Sequence, residues 1–352
     1  MLVISLVTLG SPEQLTGGYL YHRRMADAAP AHGARVEFAS FPLWPFPLAT
    51  AVAPAVLGRC RRADVVVVDS IAAALAAPWL AVAAARLPPL CAIAHQSPGG
   101  IDAGPVRREL QAALDRSAYR RCRMVLAASA PLAEELAVAL PGADVRLVAP
   151  GRDVAEAAEG DVGDLRQGRR LALLCVGNWL ARKGILELLD AVGRLPPDAV
   201  TLHLVGDPTV DPRYRARVEA RLAAPDLRGR VVVHGPVSRQ RVAAFYQGAD
   251  TFALAATREP YGTVYGEAMA NGLPVVGWRA GNLPHLASHE REGLMAEPGD
   301  VDGLAQAISR LAYDEDLRRR LAAGARLRAE SLPTWADTAA AFFAALRQVA
   351  AG

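Results

Sequence analysis

Short runs of β-branched and aliphatic residues alternate with longer stretches of helical periodicity along most of the chain. That is the pattern of parallel strands joined by crossover helices. In the first half the apolar runs predict strands at Leu2–Thr8, Val36–Ala39, Asp64–Asp69, Leu90–His95, Met124–Ala128 and Val145–Val148. Helices are predicted between them near Tyr19–His32, Ala72–Arg86, Val106–Cys122 and Pro131–Leu140. Pro150-Gly151 is followed by residues 153–168, which are acidic, Ala/Gly-rich and without clear periodicity, the marks of a linker. A second alternating series gives strands at Arg170–Val176, Thr201–Val205, Arg230–His234, Thr251–Leu254 and Pro274–Gly277. After Asp300 only helical pattern remains, ending in Trp335–Val349. The predicted architecture is α/β with two Rossmann-like doubly wound domains. They cover residues 1–152 and 169–331, with a linker at 153–168 and a terminal helical segment at 332–352.

Composition narrows the functional classes. A formal net charge of +3 over 352 residues lacks the concentrated basic footprint of a nucleic-acid binder. Cys60, Cys91, Cys122 and Cys175 are scattered and form no C-x-x-C pair, so neither a metal framework nor a disulfide framework is expected. Thiols used this way suit a reducing, cytoplasmic compartment. Met1–Leu9 has no basic leader and reads as a first strand, and the apolar stretch Ile71–Ala85 is short for a membrane span and contains Pro78.

In doubly wound sheets ligands bind beyond the carboxyl ends of the strands, so the loops there are where chemistry is sought. The loop after the first strand runs from Gly10 to Gly17-Gly18 and enters a helix. It lacks the G-x-G-x-x-G dinucleotide fingerprint, but paired glycines at a helix start let backbone N–H groups approach an anion. In the second half, Val176-Gly177-Asn178 leads to Arg182-Lys183-Gly184 just before a helix. Cations are disfavoured at a helix N-terminus by roughly 0.3–1 kcal/mol, so this pair points to a bound anion. Glu259 and Glu267, eight positions apart around Tyr261-Gly262-Thr263, are too far apart along one element to act as a hydrolase pair. Separate hydroxyl-binding roles along an extended ligand fit them better.

Glu259 and Glu267 with the following Ala-Met-Ala-Asn-Gly-Leu-Pro resemble the E-x7-E signature of family-4 retaining glycosyltransferases of the GT-B fold. The likeness extends to Gly17-Gly18, to Val176-Gly177 with Arg182-Lys183-Gly184, and to Glu292-Gly-Leu with Pro298-Gly-Asp300. It implies two domains facing across a cleft, an acceptor side at 1–152, a nucleotide-sugar side at 169–331, and a last helix crossing back from Trp335. The resemblance assigns Gly17 and Gly18 to the donor's distal phosphate and Arg182 and Lys183 to its pyrophosphate, with Gly177 and Asn178 in the same loop. Glu267 is assigned to the ribose, Glu259 to sugar hydroxyls, and Tyr261, Gly262 and Thr263 to backbone N–H contacts. His95 matches a histidine near the reacting sugar.

Catalysis is thus expected from His95, Arg182, Lys183 and Glu259, with no metal and no cofactor beyond a nucleoside-diphosphate sugar, UDP-sugar being favoured over GDP-sugar. The acceptor is a small molecule, a glycan or a lipid. Two departures from the family pattern are Asn178, where many relatives have Arg, and Asn282 and His285 in the segment Ala280–His285. The Arg-rich stretch Val106–Arg123 reads as a solvated face, with weak contact to the inner membrane face as the alternative. Other readings are a GT-B sugar phosphorylase or nucleotide-sugar epimerase, an NAD(P) oxidoreductase, and a non-catalytic sugar-nucleotide-binding protein.

Overall fold

The computed structural model describes residues 1–13, 17–100, 104–152 and 160–352. The chain divides into two compact units, one of Met1–Gly151 with Pro333–Gly352 and one of Arg152–Leu332. Part of the stretch read as a linker, residues 153–159, lies outside the described residues. The rest belongs to the second unit, where Leu165 is buried in the core and Arg166 O accepts from Thr201 Oγ1 at 2.7 Å.

In the first unit the strands are β1 (Leu2–Leu9), β2 (Ala34–Phe41), β3 (Val65–Asp69), β4 (Leu90–Ala94), β5 (Met124–Ala127) and β6 (Val145–Leu147). They pair in the order β2-β1-β3-β4-β5-β6, all parallel. The central strands are buried on both faces, which is why they read as continuous apolar runs rather than alternating ones. Val65 and Val67 face one core with Tyr21, Met25, Phe342, Phe343 and Leu346. Val66 and Val68 face the other with Ala72, Ala73, Ala76 and Leu80. The helix Trp335–Ala351, opened by a Thr334–Asp337 capping box, therefore supplies one side of this core.

Two helices here escape a periodicity reading. Phe46–Ala51 and Ala53–Arg59 each carry proline in the first turn, inside a Pro-rich stretch that reads as loop. Conversely, Pro78 sits inside the helix Ser70–Ala83 without ending it.

The second unit holds β7 (Leu171–Val176), β8 (Val200–Val205), β9 (Val231–Gly235), β10 (Thr251–Leu254), β11 (Val275–Trp278) and β12 (Gly293–Ala296). Their order is β12-β11-β10-β7-β8-β9, again parallel. The last strand, Gly-Leu-Met-Ala, is four residues long and carries no strand pattern of its own, so sequence reading passes over it. Both sheets reverse winding once, between β1 and β3 and between β7 and β10. A crevice for a ligand opens at such a switch point. Among the described residues no helix is long and apolar enough to cross a membrane, and all four cysteines are free thiols.

Candidate site residues at the switch point of each sheet

At the second switch point the loops leaving β7 and β10 are tied together. Thr257 N–H donates to Arg182 O at 2.9 Å. Gly184, in the left-handed region at φ +68°, lies so near β10 that an added Cβ would sit 1.9 Å from Ala255 O. Only glycine permits that approach. It ends the turn Ala181–Lys183 and opens the helix Ile185–Gly193, placing both cations at the mouth of the crevice.

Lys183 Nζ donates a short hydrogen bond to Glu259 Oε2, and Arg182 Nη1 lies 3.6 Å from the same oxygen while donating to Arg258 O at 3.2 Å. All three side chains are largely sheltered, at 12–21% exposure, so their mutual attraction is less screened than on an open surface. Gly177 N–H bonds to Val205 O at 2.8 Å, and its Cα faces the Lys183 stem. Asn178 does not stand in for a cation. Its Oδ1 accepts from Asp207 N–H at 3.1 Å and pins the loop after β8.

The acidic loop is held from the other side. Asn282 N–H donates to Glu259 O at 3.0 Å and Asn282 Nδ2 to Tyr261 O at 2.7 Å. This departure from the family pattern thus fixes the loop that carries Glu259. Arg328 holds His285 O and Leu286 O, each at 2.8 Å, leaving the His285 side chain exposed. Gly262, at φ +80°, turns the chain into the helix Thr263–Ala270, whose N-terminus has no side-chain cap. First-turn N–H groups without a cap favour an anion. Glu267 lies in the second turn of that helix, where buried Tyr246 donates to its Oε2 at 3.1 Å. Tyr246 was not singled out by sequence reading, because an aromatic on the buried side of a helix gives no sign of a polar task.

The first switch point is different in kind. Gly17 and Gly18 open the helix Gly17–Ala28, and residues 14–16 of the preceding loop lie outside the described residues. A Cβ on Gly17 would meet open space, whereas one on Gly18 would touch His95 Cδ2 at 3.4 Å. His95, directly after β4, is joined to two residues that sequence reading did not single out. Its Nε2 lies 3.1 Å from Nε2 of His22, which in turn lies 3.7 Å from Asp69 Oδ2. Asp69 ends β3 and is fully enclosed. It accepts from Thr8 Oγ1 at 3.0 Å, Ser70 Oγ at 3.1 Å and Ile71 N–H at 3.3 Å.

Burial lowers the basicity of both imidazoles, His22 to about 3 and His95 to about 4, and raises the Asp69 carboxyl above its ordinary value. Both histidines are therefore neutral near pH 7. The three groups have metal-ligand chemistry, with ligand atoms within 4.8 Å of one another. Against that use, His22 Nδ1 is buried without a partner among the described residues, whereas a metal-bound imidazole ordinarily donates through its second nitrogen.

Residues 164–328 match the family model for glycosyl transferases group 1. Over 169 residues the chain is 34% identical to a D-inositol 3-phosphate glycosyltransferase of Xylanimonas cellulosilytica, a stretch covering 48% of this chain and 40% of that protein. Matches to such curated relatives span about half of their length or less, from 40% to 52%. Among solved structures, sucrose-phosphate synthase from Thermosynechococcus elongatus superposes with a TM-score of 0.83 at 21% identity over 100% of both chains. HepE of Anabaena, solved with UDP and glucose, gives 0.81 at 20% identity over 99% of this chain and 100% of its own. The chain therefore has the two-domain, Rossmann-like GT-B fold, and its second unit carries the sequence pattern of glycosyl transferases group 1.

Proposed function

We propose that the chain is a retaining, metal-independent family-4 glycosyltransferase that moves a sugar from a nucleoside-diphosphate sugar to an acceptor hydroxyl. The observation that carries this reading is the cluster of Arg182, Lys183 and Glu259 beside the uncapped helix at Thr263, at the switch point of the second sheet. Two cations and a row of N–H groups suit a diphosphate. As the bond between the sugar C1 and the distal phosphate breaks, negative charge grows on that phosphate. Donors already in place stabilise it more in the transition state than in the ground state. With these cations present the leaving group needs no divalent ion.

The acceptor oxygen forms the new bond to C1 on the face the diphosphate leaves, and its proton passes to a phosphate oxygen. Glu259, engaged by Lys183 and Arg182, suits holding sugar hydroxyls rather than attacking C1. Glu267 takes the ribose, and Gly17, Gly18 and His95 take the roles the resemblance assigns them. A UDP-sugar is the favoured donor, a choice supported by the complexes of HepE with UDP and with UDP-glucose. Membrane contact through residues 106–123 forms no part of the proposal.

The test is calorimetric titration of UDP and GDP into metal-free protein and into the Lys183→Ala and Glu267→Ala variants. Binding of UDP by the wild type, weakened roughly 10–100-fold in Lys183→Ala, the scale of a hydrogen bond to a charged group, and lost in part in Glu267→Ala, is the expected result. A folded wild type that binds neither nucleotide would overturn the reading. Turnover with free phosphate in place of an acceptor would move it to a phosphorylase.

A further inference from the structure

The contact between His22 and His95 contains a constraint that neither residue shows alone. Their Nε2 atoms face each other at 3.1 Å. Two neutral imidazoles can share that contact only if one nitrogen carries a proton and the other a lone pair. The surroundings decide which. Nδ1 of His22 is buried with no partner among the described residues, while its Nε2 points toward both His95 and the carboxylate of Asp69. A proton on Nδ1 would leave an orphaned donor in a dry site and turn an Nε2 lone pair toward a carboxylate. A proton on Nε2 leaves only an unsatisfied acceptor, the less costly defect. Assigned from this network, His22 is the Nε2–H tautomer. His95 must then accept at Nε2 and carry its own proton on Nδ1.

We propose that His22, backed by Asp69, is a positioning residue that fixes His95 as the Nδ1–H tautomer, so that a bound sugar meets a hydrogen-bond donor there rather than a base. The part of this concerning the sugar rests on the function proposed above; the tautomer does not. Asp69 is in turn held by Thr8, Ser70 and Ile71, all at the ends of β1 and β3. The device is therefore built into the carboxyl ends of two central strands rather than into a loop. The Cα of Gly18 and the Tyr21 ring, 5.2 Å between centroids, confine the imidazole and keep its Nε2 on His22.

The experiment is a two-bond proton–nitrogen NMR correlation on the ¹⁵N-labelled full chain at neutral pH, with His95→Asn identifying the His95 signals. In the wild type, His95 Nδ1 is expected as the protonated, pyrrole-type nitrogen and Nε2 as the bare one. His22→Phe keeps a ring in place but removes the donor, and is expected to release His95 to the Nε2–H tautomer. His22→Gln restores an N–H near the same point and is expected to restore the wild-type pattern. Alongside, kcat/KM with a UDP-sugar falls by roughly 10–100-fold in His22→Phe and recovers to within about 3-fold in His22→Gln, by analogy with the loss of an outer partner of a metal-bound imidazole. A wild-type His95 protonated on Nε2, or a tautomer unchanged in folded His22→Phe, overturns the proposal. Should His22→Phe fail to fold, the wild-type and His22→Gln spectra still decide it. A wild type that turns over no sugar nucleotide but shows the expected spectra would sink the function and leave the tautomer assignment standing.

Discussion

At the second switch point, Arg182, Lys183 and Glu259 are full charges held in a partly open crevice by one another. At the first, His22, Asp69 and His95 sit in an enclosed site where burial keeps both imidazoles neutral. Both clusters occupy the same place in a doubly wound sheet, yet one stores charge and the other suppresses it. The difference follows from what reaches the crevice. Loops bring long, flexible cations to β7 and β10, which can keep some water. Strand ends and a helix bring short, stiff groups to β1, β3 and β4, and these are held by one another and by their immediate neighbours Thr8, Ser70 and Ile71. A site of the first kind suits a substrate that arrives with charge, and one of the second kind suits a neutral part that must be oriented.

The sharpest way to break this contrast is to deform the second crevice. In Gly184→Ala the new methyl meets Ala255 O at 1.9 Å in a left-handed conformation. A loss of at least about 3 kcal/mol of stability is expected, read from urea denaturation. Full stability would mean the two loops are not tied as described.

Acid should act on the first cluster next. The unfolded chain protonates its histidines below about pH 6.5, whereas folded His22 and His95 do so only near 3 and 4. In between, the unfolded state binds more protons. The contribution to stability is complete above pH 6.5 and is lost as the pH falls toward 4, at up to roughly 1.4 kcal/mol per pH unit for each imidazole. Asp69, whose carboxyl is raised by burial, opposes this from the ordinary carboxylate value upward to its own raised one. The second unit contains a rival, His234, lowered to about 4 by burial with His203 and Arg241 beside it. Denaturation between pH 7 and 4.5 of His22→Phe and His234→Phe apportions the slope. An unchanged slope in His22→Phe would remove His22 from the account.

Smaller effects sharpen the picture of the charged site. Tyr246→Phe removes the hydroxyl that holds Glu267 and should weaken UDP binding by about 5–10-fold, near 1 kcal/mol. Glu259→Gln removes the carboxylate that partly neutralises Lys183 and Arg182. Free UDP should then bind no more weakly, and up to about 3-fold more tightly, within the range of a partly exposed ion pair. Sugar transfer should fall at the same time. Weaker binding of free UDP would mean that Glu259 serves the nucleotide rather than the sugar.

Much of the second site was legible because charged residues after apolar strands stand out. Arg182, Lys183, Glu259 and Glu267 break the local pattern, and the order of strands brings their loops together. The first site was legible only at Gly17, Gly18 and His95. His22 and Asp69 carry no spacing signal, since they meet His95 only after three strands are laid side by side. The fold shows the same division. Strands buried on both faces announced themselves, whereas Gly293–Ala296 is a strand only because β11 lies beside it. Asn282 looked like a lost contact and proved to be a brace for Glu259 and Tyr261.

The helix Trp335–Ala351 gives the order of synthesis a structural meaning. Phe342, Phe343, Leu346 and Val349 line the same core as Ile4, Leu6 and Tyr21, so the part of the chain made first is finished by a part made after residue 332. On the ribosome, Arg152–Leu332 emerges as one uninterrupted stretch and can close its core at once. The opening strands must wait with an apolar face uncovered, and they are where a chaperone or a protease would find the nascent chain.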